Sequence, residues 1–97
     1  MKFMLTWSSI PETRHEAYRA FAEMNDADDE ADHPDVTLIG RWHDVAAGQG
    51  VLICESNDIS AVHAWAFNWN GLLDVEVRPV VDDQECKTML RGKFELN

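Results

Sequence analysis

His43 stands two residues after Arg41 in the tetrad Gly40-Arg41-Trp42-His43, and Glu55 follows one hairpin later. Strand alternation puts Arg41 and His43 on one face, and the hairpin return lays the strand of Glu55 alongside. An imidazole near a carboxylate and a guanidinium can act as a general base or anchor an anionic ligand. His43, Arg41 and Glu55 are therefore the candidate catalytic set. The competing assignment is a hydrogen-bonded histidine in a charged sheet face or a dimer seam. The chain also holds four tryptophans, Trp7, Trp42, Trp65 and Trp69. Indoles gathered under a helix layer can line a flat pocket for an aromatic ligand. Trp7, Trp42 and Trp69 are the candidate ligand-binding residues, with core filling as their other use.

Metal chemistry has no comparable signal. His15, His33 and His63 are scattered, and no HxxxH, HExxH or Cys/His spacing appears. Six acids crowd residues 26–35: Asp26, Asp28, Asp29, Glu30, Asp32 and Asp35. A calcium-loop frame starting at Asp26 puts Ala31 where glycine is needed and Thr37 where the bidentate glutamate belongs. By composition this segment reads as an exposed, mobile, solvated loop that binds no calcium tightly. There is no phosphate-cradling glycine loop and no nucleophile elbow. No metal or other cofactor is expected, although a single axial haem histidine would leave no spacing signature.

The elements that must position these residues follow from periodicity. Residues 2–8 alternate as a strand, with Phe3, Leu5 and Trp7 on one side. Ser9 and Glu12 fit a capping box around Pro11, opening a helix whose stripe is Arg14, Ala17, Tyr18, Phe21 and Met24. Residues 36–45 and 51–56 read as strands joined by a glycine-containing hairpin over residues 46–50. Ser56 or Asn57 caps a helix through Ile59, Val62, Trp65, Ala66 and Trp69, which Asn70-Gly71 stops in left-handed geometry. Residues 72–81 form a fourth strand, and Asp82 or Asp83 caps a short last helix ending near Gly92. The order is β-α-β-β-α-β in one domain spanning residues 1–97. Crossover handedness then gives an α+β, ferredoxin-like fold: one antiparallel sheet, two helices on one face and a short C-terminal helix.

Matching strand parities puts Phe3, Leu5, Trp7, Leu38, Gly40, Trp42, Leu52, Cys54, Leu73, Val75 and Val77 under the helices. The outward set pairs Arg41 and His43 with Met4, Ile39, Ile53, Glu55, Glu76 and Arg78. That mixture is too apolar to leave wet and too charged for an ordinary core. A second copy packed face to face buries the aliphatics and matches the charges, so a homodimer is expected. Trp42→Ala should then be far more damaging to the fold than His43→Ala.

The net charge of −10 over 97 residues argues against a nucleic-acid backbone or an anionic membrane as partner. No apolar run approaches the roughly 20 residues of a membrane span, and the start of the chain does not read as a signal peptide. Cys54 and Cys86 have no ligand spacing and read as free thiols in a reducing, cytoplasmic compartment.

Several of these residues fall in a familiar pattern. Met1 to Trp7 followed by Ile10-Pro11-Glu12, then Gly40-Arg41-Trp42-His43, then Trp69-Asn70-Gly71-Leu72-Leu73-Asp74 with Glu76-Val77 and Pro79-Val80, resembles the domain of unknown function 3303 family over nearly the whole chain. The resemblance implies a dimeric α+β barrel and brings no assigned reaction with it. Two functions stay open: binding or converting a small aromatic or anionic molecule without a metal, or a non-catalytic oligomeric, protein-interaction module. In the first the cluster of Arg41, His43 and Glu55 borders a cavity; in the second it is consumed by salt bridges.

Overall fold

A computed structural model describes residues 1–96 and shows, among them, one four-stranded antiparallel sheet and four α-helices. The strands are β1 (Lys2–Ser9), β2 (Thr37–Asp44), β3 (Gln49–Glu55) and β4 (Leu73–Val80), in the spatial order β2-β3-β1-β4. The helices are α1 (Arg14–Glu23), α2 (Asp26–Asp32), α3 (Ile59–Trp69) and α4 (Asp83–Lys93). Consecutive strands around α1 and α3 each skip one position, which is the ferredoxin-like arrangement expected from the element order.

The registers set three cross-strand rows on the helix side. They run Leu38–Cys54–Phe3–Pro79, then Arg41–Leu52–Leu5–Val77, then His43–Gly50–Trp7–Val75. The first row begins the core, in which Phe3, Cys54 and Val62 are fully buried and Leu5, Val36, Leu52 and Trp65 nearly so. The third row lies at the opposite end of the sheet.

The spacing of these rows corrects the faces assigned to β2. Leu38 pairs with Cys54, but Gly40 pairs with Ile53, so Ile39 is an extra residue in the strand. A bulge of this kind sets two residues against one and exchanges the faces beyond it. Arg41 and His43 therefore point toward the helices, and Trp42 points outward, 60% exposed. The outer rows are Gly40–Ile53–Met4–Arg78 and Trp42–Val51–Thr6–Glu76. Gly40 leaves room for the Trp42 indole, which lies where a Cβ would stand.

A second correction concerns the acidic segment. Residues 26–32 are helix α2, not a loop. Asn25 accepts from the Asp28 amide and the Asp28 carboxylate accepts from the Asn25 amide, closing a capping box at 2.8 and 3.1 Å. Asp26, Asp28 and Asp29 sit in the first turn, where the helix dipole favours negative charge.

Three end signals also resolve differently. Ser9 still pairs with Leu73, so it cannot cap; a 3-10 turn (Pro11–Thr13) intervenes, and Ser9 Oγ instead accepts from Arg14 Nε at 2.8 Å. Asp58 caps α3 by accepting from the Ser60 amide at 2.9 Å, while Ser56 Oγ accepts from the Asp58 amide. Asn70 ends α3 in right-handed geometry, and the positive φ among the glycines is at Gly48, in the hairpin. Asp82 caps α4 as expected.

Cys54 is fully buried, and burial pushes its thiol up to about 11. Cys86 is half-buried on α4, and both are free. A thiol reagent should titrate about one cysteine in the native protein, Cys86, and both only after unfolding. Two fast-reacting thiols in the native state would contradict this packing, and none after unfolding would contradict the free thiols. Among the described residues, no helix is long and apolar enough to cross a membrane.

Candidate functional site

The third row and the helices above it enclose a cavity of about 90 Å³. Its walls come from Trp7, Leu52 and Val75 of the sheet, Ala17, Tyr18 and Phe21 of α1, and Trp65, Ala66 and Trp69 of α3. Arg41 and His43 complete it at the β2 side. Position 50 is what lets the row close over. Gly50 separates His43 from Trp7 within the sheet, and a Cβ there would strike the Trp7 indole. With no side chain in the way, the indole lies across Gly50 and reaches the imidazole edge-on, ring centres 5.6 Å apart. Phe21 packs on the other side of His43, tilted, at 4.9 Å.

His43 is nonetheless exposed to solvent at the mouth, and among the described residues it forms no hydrogen bond or ion pair. Burial against these rings, aided by the nearby Arg41 charge, lowers its pKa below the ordinary histidine value of 6.5. The imidazole is therefore neutral at pH 7, with one nitrogen able to donate and the other to accept.

Arg41 has a different fate. Its guanidinium donates to both carboxylate oxygens of Asp29 on α2, at 3.1 and 2.6 Å, and lies 4.7 Å over the Phe21 ring. The hydrogen bonds from Arg41 hold the Asp29 carboxyl below its ordinary range. Both side chains are largely shielded, 17% and 24% exposed, so the bidentate pair leaves Arg41 little capacity for an outside anion.

The next residue along α2 that matters is Asp32. Its Oδ2 accepts from the indole N–H of Trp65 at 3.1 Å and of Trp69 at 2.7 Å, and its Oδ1 accepts from Asn68 Nδ2 at 2.9 Å. One carboxylate thus fixes both tryptophans that α3 contributes to the cavity. His33 follows it, buried, with Nδ1 donating to the Val36 carbonyl at 3.0 Å and its ring 4.3 Å from that of Trp65. Tyr18 donates to the Val45 carbonyl at 2.9 Å.

The fold therefore gathers Trp7, Trp69, Arg41 and His43 from the residues singled out by sequence, and it leaves out two. Trp42 is on the outer face because of the bulge at Ile39. Glu55 pairs with Lys2 and Thr37 at the far end of β3, five residues from Gly50, so it does not approach His43. Asp29 and Asp32 are the residues that sequence reasoning missed. Their only trace was the acidic run itself, whose spacing of three matches one helix face.

Among the described residues, no group of three or more His, Cys, Asp or Glu side chains could hold a metal ion. A wider depression of about 530 Å³ runs along the free edge of β4 past His63, Phe67 and Val77, more open to solvent than the first. With neither a clustered acid–base pair nor a nucleophile, the arrangement at His43 is suited to holding a ring and addressing one polar group on it.

A search of curated proteins finds no match. Among solved structures, the chain is similar to SCO4226 from Streptomyces coelicolor A3(2), at 20% identity over 84% of this chain and 98% of that one, with a TM-score of 0.46. The model of the family described as domain of unknown function DUF3303 matches residues 1–94, and the chain belongs to that family.

Proposed function

We propose that this protein binds a small, flat, uncharged molecule in the cavity between α1, α3 and the His43–Gly50–Trp7–Val75 row. The observation that carries this reading is the aromatic enclosure itself, with its anchoring hydrogen bonds turned away from the space. With the Tyr18 hydroxyl and the Trp65 and Trp69 N–H groups satisfied, ring faces and aliphatic carbon make up most of the lining. Of the aromatic and anionic ligands the sequence left open, the geometry favours the aromatic, because Asp29 already neutralises Arg41. A cavity of about 90 Å³ is smaller than the roughly 150 Å³ that admits benzene in an engineered core. Its mouth at His43 lets one ring seat partly outside, and a second fused ring does not fit.

Calorimetric titration with toluene tests this. A ligand of that size should bind with a Kd of about 0.1–1 mM. Gly50→Ala should abolish the binding by driving the Trp7 indole into the space, while the variant stays folded by circular dichroism. No heat with the wild type, or equal binding by Gly50→Ala, would overturn the assignment.

A second reading, an oligomeric module, is supported by the outer sheet face. There Met4, Val51 and Ile53 form an apolar centre, with the exposed Trp42 and Ile39 (54% exposed) at its β2 edge and Lys2, Glu55, Glu76 and Arg78 around it. An apolar centre with a rim of both charges suits a two-fold contact with a second copy. The two readings are compatible, because the cavity opens on the opposite side of the sheet.

A further inference from the structure

The polar groups around the cavity are nearly all spoken for. Tyr18 donates to Val45, Arg41 is held by Asp29, and both α3 indoles donate to Asp32. Among the described residues lining the cavity, the Trp7 indole N–H and the His43 imidazole are left without a partner, and of the two only His43 can accept, its ring fixed in orientation between Trp7 and Phe21. A ring seated against the tryptophans therefore meets one uncommitted acceptor, on one side, at one depth.

From this geometry we infer that the ligand belongs to the phenol class: a single neutral aromatic ring whose one hydroxyl, at the cavity mouth, donates to the His43 imidazole. The inference rests on the cavity being a ligand site and adds which ligand it selects. Carboxylates are disfavoured twice, by the absence of an uncommitted cation in the wall and by the net charge of −10. A ring without a hydrogen-bonding group leaves the imidazole to water and gains nothing from its fixed position. A dihydroxylated ring would turn its second hydroxyl toward Trp65 and Trp69, whose N–H groups are already used and which offer no acceptor. The neutral state of His43 at pH 7 supports the acceptor role, since an imidazolium offers no lone pair.

Phenol and toluene test the idea, because they are nearly isosteric and differ in the hydroxyl. Calorimetric titrations at pH 7.5 would compare phenol, toluene and benzoate on the wild type and on His43→Leu. Toluene is the more hydrophobic of the two, so a pocket indifferent to the hydroxyl binds it more tightly. The expected result is the reverse in the wild type: phenol at least as tight as toluene, and benzoate undetectable. His43→Leu should weaken phenol by about tenfold, the value of one hydrogen bond, and leave toluene unchanged or tighter. Toluene binding more tightly than phenol to the wild type would overturn the inference while keeping the cavity as a ligand site. Parallel losses for both ligands in His43→Leu would overturn it as well, by showing that His43 only packs. Tight benzoate binding would assign the site to anions. If neither neutral ring binds the wild type, the ligand-site reading fails and the phenol class with it.

Discussion

Asp32→Ala should cost this domain about 2–4 kcal/mol of stability, with a fall in Tm of roughly 10–20 °C for a chain of this size. One carboxylate oxygen receives the N–H of Trp65 and of Trp69, so a single truncation strands two indole donors on one helix, while Asn68, exposed, keeps the Asp32 backbone carbonyl. Trp65 is 4% exposed, so its N–H has no ready path to water. Losing a buried partner costs more than the bond was worth when made, because the orphaned group stays desolvated. Asp32→Asn separates charge from shape: the amide keeps one acceptor but turns an N–H₂ toward donors, so it should fall between wild type and Asp32→Ala. Thermal denaturation by circular dichroism measures the loss, and a red shift of tryptophan emission marks release of the indoles. A Tm within a degree or two of wild type for Asp32→Ala would mean that packing alone holds the two tryptophans.

Asp32 also shows where sequence reading stops in this chain. Strands with period-two alternation, such as Phe3-Leu5-Trp7 against Lys2-Met4-Thr6, announce themselves, and so does the helical stripe through Val62, Trp65 and Trp69. These patterns come from burial on one face, which composition records directly. Helix α2 leaves no such record. Aspartate is a poor helix former, and α2 buries none of its own residues. It is held by a local capping box and by partners distant in sequence: Arg41 for Asp29, and Trp65, Asn68 and Trp69 for Asp32. Those partners can be named only once the chain is folded.

The bulge at Ile39 was hidden for a different reason. One extra residue changes nothing in the apolar count of β2, yet it exchanges the roles of Arg41 and His43 with that of Trp42. Gly40 was the available hint, since glycine inside a strand often marks a bulge or a close approach. Here it marks both, with the Trp42 indole lying over it. The pairing of His43 with Glu55 failed through distance along the strand. Hairpin register sets His43 against Gly50, so Glu55 lies at the other end of β3 beside Lys2. Resemblance to a family could supply the fold but not this detail, because the residues that carry it include the tetrad Gly40-Arg41-Trp42-His43 and say nothing about which way each side chain turns.

The exchanged faces reverse what substitution in that tetrad should do. With Trp42 pointing outward and 60% exposed, Trp42→Ala should cost the isolated fold less than about 1 kcal/mol, as surface truncations generally do. Its effect should fall on association instead. Under the proposed face-to-face dimer, Trp42 stands on edge strand β2 at the end of the row with Val51 and Thr6, and a large exposed aromatic in a contact carries a disproportionate share of binding. Truncating such a residue typically costs about 2–4 kcal/mol, or roughly 30- to 1,000-fold in the dimer dissociation constant. Light scattering behind size-exclusion chromatography should find a dimer for wild type at micromolar concentration and a monomer for Trp42→Ala. His43→Ala is the matched control. It removes a mouth residue on the opposite face, so it should leave the dimer intact while removing any preference for phenol over toluene. A wild-type monomer would dispose of the dimer. A dimer that survives Trp42→Ala would move the contact to another surface. If Trp42→Ala instead unfolds the chain, the tryptophan is under the helices, the bulge at Ile39 is misplaced, and the assignment of His43 to the cavity falls with it.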